Sequence, residues 1–305
     1  MNYDYLIIGA GSAGCVLANR LSENANHKVG VFEAGGSSDI WKVKMPLALL
    51  YTMHDPKYNW KYYSEPEPHL NNRRLFCPRG KMIGGCSAHN GMVFVRGNRN
   101  DYERWENFGL KSWSYEKVLP YFKKIETWSG GENQYRGSLG PLPVNQSKND
   151  NPLFKAFINS ASEAGHTVNP DMNGEEQEGF GMFDTTIHEG QRASATKYYL
   201  NPAKKRKNLN IFSNSFVEKI IFEGKKAIGI EVKIKNKVEK VYAEKEVILS
   251  GGSINSPQLL MLSGVGNSDH LREKGIDVVS DIKGVGKNLQ DHLETYITVS
   301  YTHLT

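Results

Sequence analysis

The sequence predicts an α/β protein, a Rossmann-like domain extended by a β-meander, with part of a second domain added to it. Three stretches predict this: a strand–glycine–helix–strand unit at Asp4–Gly35, a run of strands from Phe216 to Ser250, and a second strand–glycine–helix junction from Val247 to Gly266. In the first unit the apolar run Leu6-Ile7-Ile8 stops at a glycine, as a buried parallel strand does. Gly9, Gly11 and Gly14 then open an amphipathic segment, Cys15–Leu21, with Val16, Leu17 and Leu21 on one face. A second strand, Lys28–Phe32, ends at Glu33. Each glycine has a physical task. Gly9 permits the tight turn, Gly11 lets backbone approach a pyrophosphate, and Gly14 lets helix pack on strand, with Ser12 and Ala13 supplying helix N-terminal amides to the anion. Glu33, followed by Ala34, lies nineteen residues after Gly14, where a carboxylate accepts from ribose hydroxyls and repels a 2′-phosphate. The unit therefore reads as a dinucleotide site.

The remaining elements follow in chain order. Residues 36–75 carry Trp41, Trp60, Tyr62 and Tyr63 without a clear period, a covering excursion that suits a flavin nucleotide better than a nicotinamide. Arg79–Gly97 holds glycines at 80, 84, 85, 91 and 97. Such density lets backbone come close to something flat or phosphorylated, and an ordinary glycine turn is the equal alternative. Helices are expected over Asp101–Phe108 and Ser114–Trp128, and a polar loop over 129–150. Asn151-Pro152 then starts a helix that stops at Gly165, and 166–193 is irregular. The strands Val217–Phe222, Ala227–Ile234 and Val238–Ala243 form a meander, and Val247–Leu249 is a further strand. It leads into a helix capped by Ser256, with Pro257 in its first turn and Leu259, Leu260 and Leu262 on its buried side.

Composition limits the function classes. The net charge of +5 over 305 residues is small, and the basic run Lys204–Lys207 reads as a solvated loop, so nucleic-acid binding is not expected. Cys15, Cys77 and Cys86 are too few and too scattered for a disulfide framework or a zinc site, and no metal is expected. A first strand next to Met1 leaves no room for a signal peptide, and no apolar run reaches spanning length. These features lead to the expectation of a cytoplasmic protein without a transmembrane segment.

Three stretches together resemble the glucose-methanol-choline (GMC) flavin oxidoreductases, and within them the choline dehydrogenases and oxidases. They are the fingerprint with Glu33; Gly80–Val93, similar to the first family signature; and Gly252–Gly266, which matches the second. GVGKNLQDH, Gly284–His292, also resembles a family segment that passes the flavin. The resemblance covers essentially the whole chain and implies a Rossmann-like FAD-binding domain. It places Gly9–Gly14 on the FAD pyrophosphate, Glu33 on the ribose and Val217 by its backbone at the adenine. Met82, Gly84, Gly85, Ser87, Asn90, Gly91, Met92, Val93, Asp291 and His292 would lie along the cofactor. It further implies oxidation of choline or another primary alcohol by hydride transfer to flavin, with oxygen or a quinone as electron acceptor. A hydroxynitrile-lyase-like enzyme that keeps FAD without redox turnover is the alternative.

Two departures from the family pattern matter. His89 stands where most members have an aliphatic residue, and Cys86 where they have Gly, Ser or Thr. The choline oxidase branch is similar here and carries its flavin covalently on that histidine. Hydrogen bonding of His89 to nearby backbone is the equal alternative. The family's catalytic pair lies near the end of much longer chains, and no histidine here falls in a matching motif. The catalytic residues are therefore unassigned, and the expectation is an N-terminal portion without turnover of its own, the rivals being a self-sufficient short flavoprotein or a bare FAD-binding module with a partner chain. The implied layout is a first FAD part over 1–150, a substrate-domain segment over 151–195, a second FAD part over 196–295, and the start of a substrate sheet at 296–305.

Overall fold

The apolar runs form the centre of one six-stranded sheet. The computed structural model describes residues 1–148, 150–292 and 294–296. Its main elements are β1 (Asn2–Ile8), α1 (Ser12–Leu21), β2 (Val29–Phe32), β3 (Leu209–Phe212), β4 (Ser215–Glu223), β5 (Lys226–Ile234), β6 (Lys237–Leu249) and α2 (Gly252–Leu262). The spatial order is β3-β2-β1-β6-β5-β4. The first four strands pair in parallel, with Tyr5–Ile8 beside both Val29–Phe32 and Glu246–Leu249, and β4, β5 and β6 form the antiparallel meander. Alternate residues feed opposite faces. Ile7, Val29 and Val31 pack with Cys15, Ala18 and Leu200, while Leu6, Ile8 and Phe32 pack with Ile230, Val232, Val241 and Leu259. The buried stripe of α1 is centred on Gly14, Cys15 and Ala18, with Val16, Leu17 and Leu21 at its flanks.

Several boundaries differ from the sequence reading. Val238–Ala243 and Val247–Leu249 are one thirteen-residue strand. The charged stretch Glu244-Lys245-Glu246 hid this, because β6 changes there from antiparallel partner of β5 to parallel partner of β1. Helix α2 starts at Gly252, not at Ser256, and Pro257 lies inside it. Pairing of Ile8 with Leu249 fixes the strand end, so the chain turns at Gly252 (φ 87°) and the capping potential of Ser256 goes unused. Leu262 is exposed; Leu259 alone of the three leucines is buried.

The segment between Val93 and Thr185 builds a second, four-stranded sheet from Val93–Phe94, Asp184–Thr185, Leu142–Gln146 and Glu126–Trp128, in that order. The helix expected over Ser114–Trp128 therefore ends at Ile125, and the loop expected over 129–150 contains a strand. A buried ionic knot imposes both changes. The fully buried Glu126 carboxylate accepts from Arg96 Nη2 (2.7 Å), Arg136 Nε (2.9 Å) and the Gly137 amide (3.0 Å). Arg136 also reaches Asp171 (2.5 Å) and Asp184 (2.8 Å), and its guanidinium lies 4.1 Å from the Trp128 ring centroid. The Asn151 cap and the stop at Gly165 (φ 84°) hold around helix Pro152–Glu163. Residues 36–75 form only short helical turns and the strand Tyr62–Tyr63, which pairs with Phe76–Cys77. The strand expected at 296–301 falls, from 297 on, outside the described residues. No helix among the described residues is long and apolar enough to cross a membrane.

Candidate functional site: a dinucleotide cleft

The carboxyl ends of β1, β2 and β6 converge on one cleft of about 500 Å³, the position at which open α/β sheets bind ligands. Gly9, Gly11, Ser12, Ala13, Glu33 and Ala34 line one side, Gly80, Gly85 and Cys86 another, and Ser250–Ser256 a third. The turn residues are glycine for stated reasons. Gly9 has φ 94°, and a Cβ there would stand 2.6 Å from the Ser250 carbonyl oxygen. A Cβ on Gly14 would run into the Gly9 carbonyl. Gly11 differs: its added Cβ would meet only Ser250 O at 3.8 Å and Gly85 Cα at 4.0 Å, both across the cleft. The protein has room for a methyl there, so the glycine leaves space for a ligand.

Two helix N-termini open on this cleft. No side chain caps α1 at Gly11 or α2 at Gly251, and the first-turn residues Ser12, Ala13, Gly252 and Ser253 all line it. Uncapped first-turn amides and the positive helix end favour an anion. Glu33 is buried, and its carboxylate accepts the Ala10 amide at 2.9 Å and the Gly35 amide at 2.8 Å. Burial raises its pKa, and the two amides and the charge of Lys81 pull the other way. Glu33 thus ties the glycine turn to the end of β2 and keeps acceptor capacity for hydroxyls. Trp60 and Phe216 stand 6.1 Å apart, centroid to centroid, on the cleft wall, and Val217 lies beside Phe216. The excursion over 36–75 is fastened across the cleft to α2 by the Tyr62 hydroxyl, which donates to Asn255 Oδ1 at 2.6 Å. Burial raises the Tyr62 pKa.

The other expected residues, Met82 and Gly84 among them, do not line the cleft. Gly84 has φ 96°; Ser87 Oγ donates to Gly84 O at 2.6 Å and accepts the Ala195 amide at 3.1 Å. Met82 is fully buried. His89 is buried, and its Nδ1 has no hydrogen-bond partner. Burial, with the nearby charges of Arg192 and Arg79, lowers its pKa to about 4, so the ring is neutral near pH 7. Asn90, Gly91 and Val93 are exposed, and between them Met92 is buried with φ 61°. Asp291 and His292 are exposed and do not line the cleft. Sequence reasoning missed Trp60, Arg79, Phe216 and Ser250–Ser256 as wall residues. The Gly251-Gly252 junction was a usable signal for the last of these; isolated aromatics in irregular stretches carried none.

The family model described as GMC oxidoreductase matches residues 3–294. The chain belongs to the GMC oxidoreductases. It is 48% identical to a mitochondrial choline dehydrogenase of Mus musculus and 51% identical to an oxygen-dependent choline dehydrogenase of Sinorhizobium fredii. Those alignments cover 98% and 97% of this chain but 52% and 54% of the relatives. Among solved structures, pyridoxine 4-oxidase from Mesorbium loti superposes with a TM-score of 0.91 at 33% identity, over 95% of this chain and 57% of that one. Formate oxidase from Aspergillus oryzae gives 0.87 at 29% identity, over 95% and 52%. The chain thus spans about half the length of the curated relatives it matches. The dinucleotide of this GMC cleft is FAD. The residues present fit it: a cradle that a Cβ at Gly11 would enter, two uncapped helix N-termini, and a carboxylate at the end of β2.

Proposed function

We propose that this chain is the FAD-binding portion of an enzyme that oxidises the CH–OH group of choline or another primary alcohol. The observation that carries the reading is the cleft itself, in which the Gly9–Gly14 turn, Glu33 and the start of α2 meet around one volume. When bound, FAD supplies the two-electron acceptor for that oxidation. The chain's own residues bind and orient it. Amides at Ser12 and Ala13 would hold the diphosphate and Glu33 the ribose hydroxyls, with Val217 meeting the adenine. Asn90–Val93 and His89 would lie toward the flavin ring, with the neutral imidazole free to attach to it or to hydrogen-bond nearby backbone. The similarity to choline dehydrogenases supports choline as the first substrate to test. Residues 151–195 would face substrate, with oxygen or a quinone as final acceptor. The reading includes a cytoplasmic location, which three unpaired cysteines accord with.

The test is anaerobic mixing of the FAD-loaded protein, at the full length of its relatives, with choline and simple primary alcohols, the 305-residue chain being run beside it. Bleaching of the flavin absorbance with an alcohol supports the reading. A flavin left oxidised by every alcohol would favour the lyase-like alternative. Among the described residues no histidine lines the cleft, and its single carboxylate is occupied by two amides. A positioned base typically contributes about a hundredfold to ten-thousandfold. The 305-residue chain is accordingly expected to bind FAD and turn over slowly or not at all.

A further inference from the structure

We propose that Arg192 is the positioning residue of the loop His89–Met92, setting it from outside the cleft so that it can receive the flavin end of FAD. The inference rests on the FAD reading above. Arg192 sits in a short antiparallel pair, Gln191–Arg192 with Ile187–His188, about a hundred residues along the chain from the loop. Its side chain is buried, with 2% of its surface exposed, and its hydrogen bonds go to neutral oxygens. Nε donates to Val43 O at 3.1 Å, and Nη1 donates to Asn90 O at 2.7 Å and to Asn90 Oδ1 at 2.8 Å. Among the described residues no carboxylate pairs with it, and Nη2 has no partner. A buried, uncompensated guanidinium is costly, and burial lowers its pKa to about 10. Arginine at this position therefore needs a reason beyond packing.

The loop supplies one. Asn90 and Gly91 are exposed, so little packing holds them. Met92 nevertheless adopts φ 61°, a conformation that non-glycine residues keep only when their surroundings over-determine it. Asn90 Oδ1 is the common acceptor: it takes the Met92 amide at 3.2 Å together with Arg192 Nη1. From the other side the Thr186 amide donates to Met92 O at 2.8 Å. Arg192 thus orients the Asn90 side chain that closes the turn, and the residue just before Asn90 is His89, whose Nδ1 is also left without a partner. None of these residues lines the cleft formed by Gly9–Gly14 and Glu33. Arg192 acts on the flavin end alone.

That separation provides the test. ADP fills the adenosine-diphosphate half of the site, whereas FAD needs the loop as well. FAD and ADP affinities are measured by titration for the 305-residue chain and for Arg192→Lys, Arg192→Met and Asn90→Ala, with thermal melts of the apo proteins. Arg192→Met should weaken FAD at least fivefold while leaving ADP within twofold, and Arg192→Lys should recover part of the loss. Asn90→Ala, which removes only an exposed side chain, should show the same split even where Arg192→Met fails to fold. Adding Arg192→Lys to Asn90→Ala should cost little more, because both act through one acceptor. FAD and ADP weakening together, or FAD unchanged in Asn90→Ala, would overturn the assignment. A wild-type chain that binds neither ligand would overturn the FAD reading, and this inference with it.

Discussion

Three glycines of the first turn look alike in sequence and should behave differently when replaced by alanine. At Gly9 the residue sits at φ 94° and the new Cβ would press on Ser250 O at 2.6 Å. Backbone strain there costs about 1–3 kcal/mol and overpacking about 1–3 kcal/mol more. Gly14→Ala drives a methyl into the Gly9 carbonyl, which belongs to the same turn and cannot swing away. Either change should remove a large part of a total stability of roughly 5–15 kcal/mol. Gly11→Ala has an ordinary extended backbone and no neighbour nearer than 3.8 Å, so apo stability should change by about 0.5 kcal/mol at most. Its methyl instead occupies the gap between Ser250 and Gly85 through which the diphosphate must approach the α1 amides. Losing one charge-assisted hydrogen bond, roughly 1.5–3 kcal/mol, weakens FAD about tenfold to a hundredfold. Thermal unfolding of the apo proteins and FAD titration separate the two effects. A Gly11→Ala protein that melts as low as Gly14→Ala, or binds FAD within twofold of wild type, would refute the reasoning.

Other expectations concern Glu33, His89 and Glu126. Glu33→Gln keeps one acceptor for the Ala10 and Gly35 amides and loses the charge, so FAD should weaken about tenfold to a hundredfold by titration; unchanged affinity would remove Glu33 from the ribose. His89 has its folded pKa lowered from 6.5 to about 4, so the unfolded chain takes up its proton first as pH falls. His89 should therefore cost the fold stability progressively from about pH 6.5 down to pH 4, by about 3 kcal/mol in all. Denaturant melts of His89→Gln against wild type across that window read the difference, and parallel pH slopes would contradict it. Acid-precipitated holoprotein tests attachment: colour that stays in the wild-type pellet and leaves it in His89→Ala shows a bond to His89, and a colourless wild-type pellet rules it out. Glu126→Gln leaves Arg96 and Arg136 short of their shared counter-charge and should cost about 3–5 kcal/mol in a chemical melt. A loss below about 1 kcal/mol would show that Asp171 and Asp184 suffice.

Legibility in the sequence followed the range of the interactions. The first βαβ unit was readable nearly to the residue, because its apolar runs and glycines act on neighbours in the chain. The meander was readable for the same reason, as was the Asn151 cap. What failed depended on distant partners. Glu126 looks like a helix residue until Arg96 and Arg136 claim its carboxylate. Charged residues at 244–246 look like a turn until β1 pairs alongside them. Within the site, residues on the glycine turns were legible from motif chemistry. The aromatic wall and the Arg192 contacts were not, since Trp60, Phe216 and Arg192 reach their positions through long-range packing.

The central claim, FAD seated between the first glycine turn and the Gly85-Cys86 turn, is tested most directly by cysteine footprinting. Cys86 is exposed on the cleft wall, Cys77 is half-buried away from it, and Cys15 is buried with its pKa raised to about 12. Alkylation rates for each cysteine are read by mass spectrometry with and without saturating FAD. The account predicts that FAD slows Cys86 at least tenfold, leaves Cys77 unchanged and finds Cys15 unreactive throughout. Cys86 labelled equally fast in a chain that has demonstrably bound FAD would place the cofactor elsewhere and contradict the account.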